Sequence, residues 1–118
     1  MINKTTALLI AIVAISCGDG SYKKATDAQD AGREFIRASL DGDFDKARFY
    51  LLKSEDNIWM LEKMQTDYQH LAAESKRTKR ESNIRPVTIL PVNDSLTKYT
   101  YWQTANPRDT LTLSVVKV

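Results

Sequence analysis

The stretch IRPVTILPVNDSLTKYTYWQTANPRDTLTLSVVKV, residues 84–118, decides the fold class. It is rich in β-branched and aromatic residues broken by turn formers, the pattern of consecutive strands. Ile84 to Val92 contains Pro86 and Pro91, which cannot donate ladder hydrogen bonds, so this strand is expected at a sheet edge or with a bulge. Asn93-Asp94 supplies a tight turn. Ser95 to Gln103 alternates, with Thr97, Tyr99, Tyr101 and Gln103 on one face and Leu96, Lys98, Thr100 and Trp102 on the other. Ala105 to Asp109 reads as the next connection and Thr110 to Val118 as a third strand. Short links between successive strands imply an antiparallel meander.

N-terminal to the strands, apolar residues recur at helical spacing. Thr26 is placed to cap a first helix whose stripe is Ala28, Ala31, Phe35, Ile36, Ala38 and Leu40, ending near Asp41-Gly42. Asp43 is placed to cap a second, short helix with Phe44, Ala47 and Tyr50 or Leu51 inward and Lys46 and Arg48 toward water. Ser54, followed by Glu55 and Asp56, marks a third start. The spacing predicts one helix from there to about Lys79, with Ile58, Leu61, Met64, Tyr68 and Leu71 as core candidates and Trp59 on a flank. Lys76, Arg77, Lys79 and Arg80 crowd its far end, where the helix dipole favours cations. Three helices followed by three strands predict an α+β domain over residues 26–118, with the helices on one face of a bent antiparallel sheet.

Ahead of the domain, Lys4 precedes the apolar run Ala7 to Ile15, which ends in Ser16-Cys17-Gly18. A charged start, a short apolar core and a small residue before the cut form a secretory signal. The run is too short for a transmembrane helix, which needs roughly 20 residues. With Cys17 at the cut, residues 1–16 resemble a bacterial lipoprotein signal, although Ala14 stands where such signals usually carry Leu. The resemblance implies a diacylglyceryl group on the Cys17 thiol and membrane attachment through it, at the outer membrane on its periplasmic or surface face. Residues 17–25 then read as the lipidated cysteine and a flexible tether.

The chain of 118 residues carries 17 basic and 15 acidic groups, and loss of residues 1–16 removes only Lys4 from that balance. A near-neutral domain has no global field for nucleic acid, and its size leaves room for one modest core. Cys17 is the only cysteine, so no internal disulfide forms, and His70 is the only histidine, so no metal site is expected. No cofactor is expected either, since no glycine-rich phosphate loop, nucleophile elbow or repeat is present. His70, behind Gln69 near a polar helix end, reads as a surface residue.

The segment Ala31 to Ala47, AGREFIRASLDGDFDKA, behind a lipoprotein cysteine, resembles the opening of the domain of unknown function 4878 lipoproteins, and Asp109 to Val118 resembles their later sheet. That family is similar to the nuclear transport factor 2-like superfamily, in which helices close a cone over a bent sheet and which includes ketosteroid isomerase. The resemblance carries packing motifs and no catalytic pattern, so no catalytic residue is assigned. It also implies a Gly-Lys-Trp turn and one more strand after Lys117-Val118, so the sheet here is expected to lack its last strand. Trp59, Tyr99, Tyr101 and Trp102 are the candidate ligand-facing aromatics, with core packing as the competing use of rings on a small sheet. The expected function is a lipid-anchored binding or accessory domain taking a protein or a small apolar ligand. The alternatives are a cone-pocket enzyme of ketosteroid-isomerase-like type and an assembly factor that pairs through an open sheet edge.

Overall fold

A computed structural model describes residues 6–15 and 22–117. The elements are β1 (Thr6–Ile15), α1 (Ala28–Asp41), α2 (Phe44–Tyr50), α3 (Glu55–Gln69), α4 (Ala73–Arg80), β2 (Ile84–Pro91), β3 (Leu96–Gln103) and β4 (Asn106–Lys117). The chain is α+β: β2, β3 and β4 form the expected antiparallel meander. β1 adds to it in parallel beside β4, giving the order β1-β4-β3-β2. Cys17 and the rest of residues 16–21 lie outside the described residues. Among the described residues no helix is long and apolar enough to cross a membrane.

The helix starts follow from local chemistry. Asp27, not Thr26, caps α1, its carboxylate accepting from the Asp30 amide at 2.8 Å. Thr26 takes the reciprocal role, donating its amide to Asp30 Oδ2 at 2.9 Å, as in a capping box displaced by one residue. Gly42 ends α1 with φ 77°, a left-handed conformation that glycine adopts without strain. Asp43 and Ser54 cap α2 and α3 as the sequence predicts. The stripe Ala31, Phe35, Ile36, Ala38 and Leu40 is buried, and Gly32 sits directly over Leu113 and Tyr99, so α1 lies close against β3 and β4.

The long third helix of the sequence prediction is two helices. Apolar spacing stops at Leu71, and the chain turns there: the amides of His70 and Leu71 bond back to Asp67 and Tyr68, and His70 Nδ1 meets the Thr66 carbonyl at 2.8 Å. The turn brings the end of α4 against α1. Arg37 donates to the carbonyls of Lys79, Arg80 and Ser82 at 3.2, 2.9 and 2.7 Å, and its own guanidinium is held by Asp41 at 3.0 Å. One side chain thus bonds three carbonyls at and just beyond the α4 C-terminus, where a helix runs out of intrahelical donors.

Three further expectations change. The β3–β4 connection is the tight turn Thr104-Ala105, with Asn106 already paired to Gln103, because the Ser82 hydroxyl accepts from the Ala105 amide at 3.0 Å and pins the turn. Residues 22–25, read as tether, lie against α2: the Tyr50 hydroxyl donates to the Lys23 carbonyl at 2.5 Å, Tyr22 packs on Phe49, and Ala25 is buried. Tyr22 and Ala25 carry apolar surface that a solvated linker would leave exposed. The apolar run read as the core of an export signal forms β1 in the full chain, a fourth strand that the three-strand prediction omitted. A run of about ten apolar residues suits a buried strand as well as a signal core, and periodicity alone does not separate the two.

The edge strand is as expected. β2 has no partner beyond β3 among the described residues, and its register shifts between Pro86 and Thr88. On the sheet face toward the helices Tyr99, Tyr101, Leu113 and Val115 are fully buried. The opposite face carries the row Thr88, Thr100 and Thr112, with the last two hydroxyls 3.3 Å apart.

Candidate functional site

At the end of the sheet where β3 finishes, the C-terminus of α1, the start of α2 and the last turns of α3 leave a cleft of about 340 Å³. Its walls are apolar at Leu40, Phe44, Met64 and Leu71, and Ser39, Asp67, Tyr68, Lys79 and Gln103 supply polar groups. This volume lies at the small end of the range for small-molecule pockets, roughly 300–1,000 Å³.

Each wall has a local cause. The αL turn at Gly42 lets the chain reverse beneath Tyr68: a Cβ there would stand 2.6 Å from the Tyr68 ring, so only glycine admits the ring at this distance. Phe44 meets Tyr68 edge to face, with centroids 5.6 Å apart at 72°. Lys76 lies over the same ring at 5.7 Å. The turn at Leu71, which the sequence did not announce, folds that side chain into the cleft instead of continuing the helix into solvent.

The Tyr68 hydroxyl is buried and has no hydrogen-bond partner. The Tyr99 hydroxyl, in the core, is likewise buried without a partner, and of the two only Tyr68 belongs to a residue that lines the cleft; leaving such a hydroxyl unpaired costs on the order of 1–3 kcal/mol. The Ser39 hydroxyl is already used, donating to the Phe35 carbonyl at 2.9 Å. Asp67 is two-thirds exposed and pairs with Lys63 at 3.2 Å. Among the described residues the buried polar side chains other than tyrosines are Asn57 and Ser82, and no carboxylate is buried.

The four candidate aromatics separate into three places. Tyr99 and Tyr101 pack together in the core, centroids 5.8 Å apart. Burial raises the Tyr99 phenol, with Arg33 acting against it. Burial, and then the neighbouring Tyr99, push the Tyr101 phenol well above its ordinary range, while a hydrogen bond with the Gln103 side chain pulls it back. Trp102, half-buried, points to the opposite sheet face in register with Arg85 and Thr110. Trp59 is 65% exposed on α3. His70 is exposed. Tyr68, readable in sequence as a core candidate and as one of the tyrosines able to enter a cone, was not among the four candidate aromatics, and nothing in spacing marks a hydroxyl that will lack a partner.

A second concavity, about 350 Å³ and lined by Asp30, Glu34, Lys46 and two tyrosines, lies between residues 22–23 and the helices. There Lys46 bonds Glu34 at 2.9 Å, and this hydrogen bond raises the Lys46 ammonium against the opposing effect of burial. Both charges are consumed by each other. Among the described residues no group of three or more His, Cys, Asp or Glu side chains is placed to hold a metal ion. No family model, curated protein or solved structure matches the chain.

Proposed function

We propose that the protein is an exported bacterial lipoprotein, tethered through Cys17, whose nuclear transport factor 2-like domain binds a small apolar ligand in the cleft beneath Tyr68. The observation that carries the binding role is the cleft itself, with apolar walls, a polar rim and the Tyr68 ring along one side, its hydroxyl one of two buried without a partner among the described residues. Such a site suits a molecule with an apolar body and a single hydrogen-bond acceptor. Non-catalytic binding is favoured over ketosteroid-isomerase-like chemistry because a general base for that chemistry needs a desolvated carboxylate, and the acid at the cleft, Asp67, is solvated and ion-paired.

The anchor is supported by the sequence around Cys17. Its test is Cys17→Ser in cells fed a labelled fatty acid. The labelled band is expected to vanish and the protein to leave the processed membrane fraction, because stable anchoring requires more than one acyl chain. Label retained by the variant removes the lipoprotein assignment.

A further inference from the structure

The two edges of the sheet are built differently. β2, the outer edge, carries Pro86, Pro91, Arg85 and a register shift, all features that discourage another strand from pairing. β4 carries none of them between Thr110 and Val116, where seven residues in a row are uncharged and contain no proline. An edge of that kind is made to be covered, and in the full chain β1 covers it, from Thr6 opposite Thr110 to Ile15 opposite Lys117, with a register shift between Leu9 and Ile12.

We propose that residues 6–15 hold the β4 edge only until they are removed, and that a second copy of this chain then takes it, β4 against β4, antiparallel across a two-fold axis at Leu113. The inference rests on the reading of residues 1–16 as a removed signal. Any strand paired about a two-fold through one residue sets like faces together, and it is the charges at its ends that make this register particular to β4. Leu111 falls opposite Val115 and Thr112 opposite Ser114, so residues of the helix-facing side meet residues of the same side. Asp109 falls opposite Lys117, and the two-fold repeats this opposite-charge pair at the other end.

Antiparallel pairing is also slightly more stable per residue than the parallel β1 ladder it replaces. While β1 is attached, its high effective concentration keeps the second copy out. Removal reverses the competition. The product is one continuous sheet carrying a helix layer from each copy.

The test uses the full chain, with Cys17→Ser to prevent oxidation and a specific protease site at residues 18–20. The folded chain is cut, the released peptide followed by mass spectrometry, and the species sized by sedimentation equilibrium. The uncut chain is expected to be monomeric and the cut chain dimeric, with native near-ultraviolet dichroism in both. Lys117→Asp sets like charges opposite each other at both ends and should weaken the dimer roughly tenfold. Adding Asp109→Lys to that variant should restore it, which a merely structural effect at Lys117 would not do. A cut chain that stays folded and monomeric overturns the proposal. So does a peptide that remains bound after cutting, or loss of native dichroism on cutting, since either makes β1 a permanent strand. A chain that keeps residues 1–16 in cells instead removes the export reading and leaves the edge measurement standing.

Discussion

At the scale of single residues, the account turns on Gly42 and on buried tyrosines. Gly42 is left-handed at φ 77° and supports the Tyr68 ring, so Gly42→Ala combines backbone strain of about 1–2 kcal/mol with displacement of that ring. Denaturant unfolding should show a loss of at least that size, and the same substitution made in a Tyr68→Ala background should cost measurably less; equal costs in both backgrounds would separate Gly42 from the cleft. Tyr99 and Tyr101 make a second prediction. Both phenols are raised in the folded state, so the unfolded chain loses its protons first as pH rises through about 10, and the folded state keeps them. Their contribution is therefore complete below pH 10 and declines above it, by up to about 1.4 kcal/mol per pH unit for each group. Tyr101→Phe should flatten the alkaline slope of stability. An unchanged slope would mean that Tyr101 is not the titrating group. None of this was visible in the chain beyond alternation, which put Tyr99 and Tyr101 on one face but gave no means of choosing core over ligand surface.

At the scale of elements, sequence patterning and capping located most of the helices and strands, and failed where tertiary contacts decide. The ends at Gly42, Asp43 and Ser54 were legible because their capping chemistry is local. The break at Leu71 was not, because what holds α4 in its folded-back position is Arg37, more than 40 residues distant from the carbonyls it binds. Charge-assisted bonds of this kind contribute about 1.5–3 kcal/mol, discounted here because the Arg37 side chain is about one-third exposed. Arg37→Met should therefore lower stability by about 1–2 kcal/mol and release α4, read as faster amide exchange across residues 73–80 with α1 still protected. Arg37→Lys should not restore protection, since an ammonium lacks the planar fork that reaches several carbonyls together. Undiminished protection in Arg37→Met would assign the docking of α4 to its own packing. β1 was illegible for a different reason: an apolar nine-residue run is compatible with two physical fates, and only the presence of the uncovered β4 edge selects the strand.

At the scale of the whole molecule, one helix layer covers one face of the sheet, and the end of that sandwich is left open between Phe44, Tyr68 and Leu71. The fold class followed from residues 84–118 and the helical stripes before them, whereas the site required two non-local events, the reversal at Gly42 and the turn at Leu71, to bring its walls together. The central claim is that this opening receives an apolar ligand with one polar group. It is tested most directly by titrating the full chain with 8-anilinonaphthalene-1-sulfonate, an apolar body with a single anionic group, and repeating the titration with Leu71→Trp, which fills the cleft. Saturable, blue-shifted fluorescence in the natural chain that is lost in Leu71→Trp, with native near-ultraviolet dichroism in both, is the expected result. Binding that is unchanged by the filled cleft, or no saturable binding at all, would contradict the account.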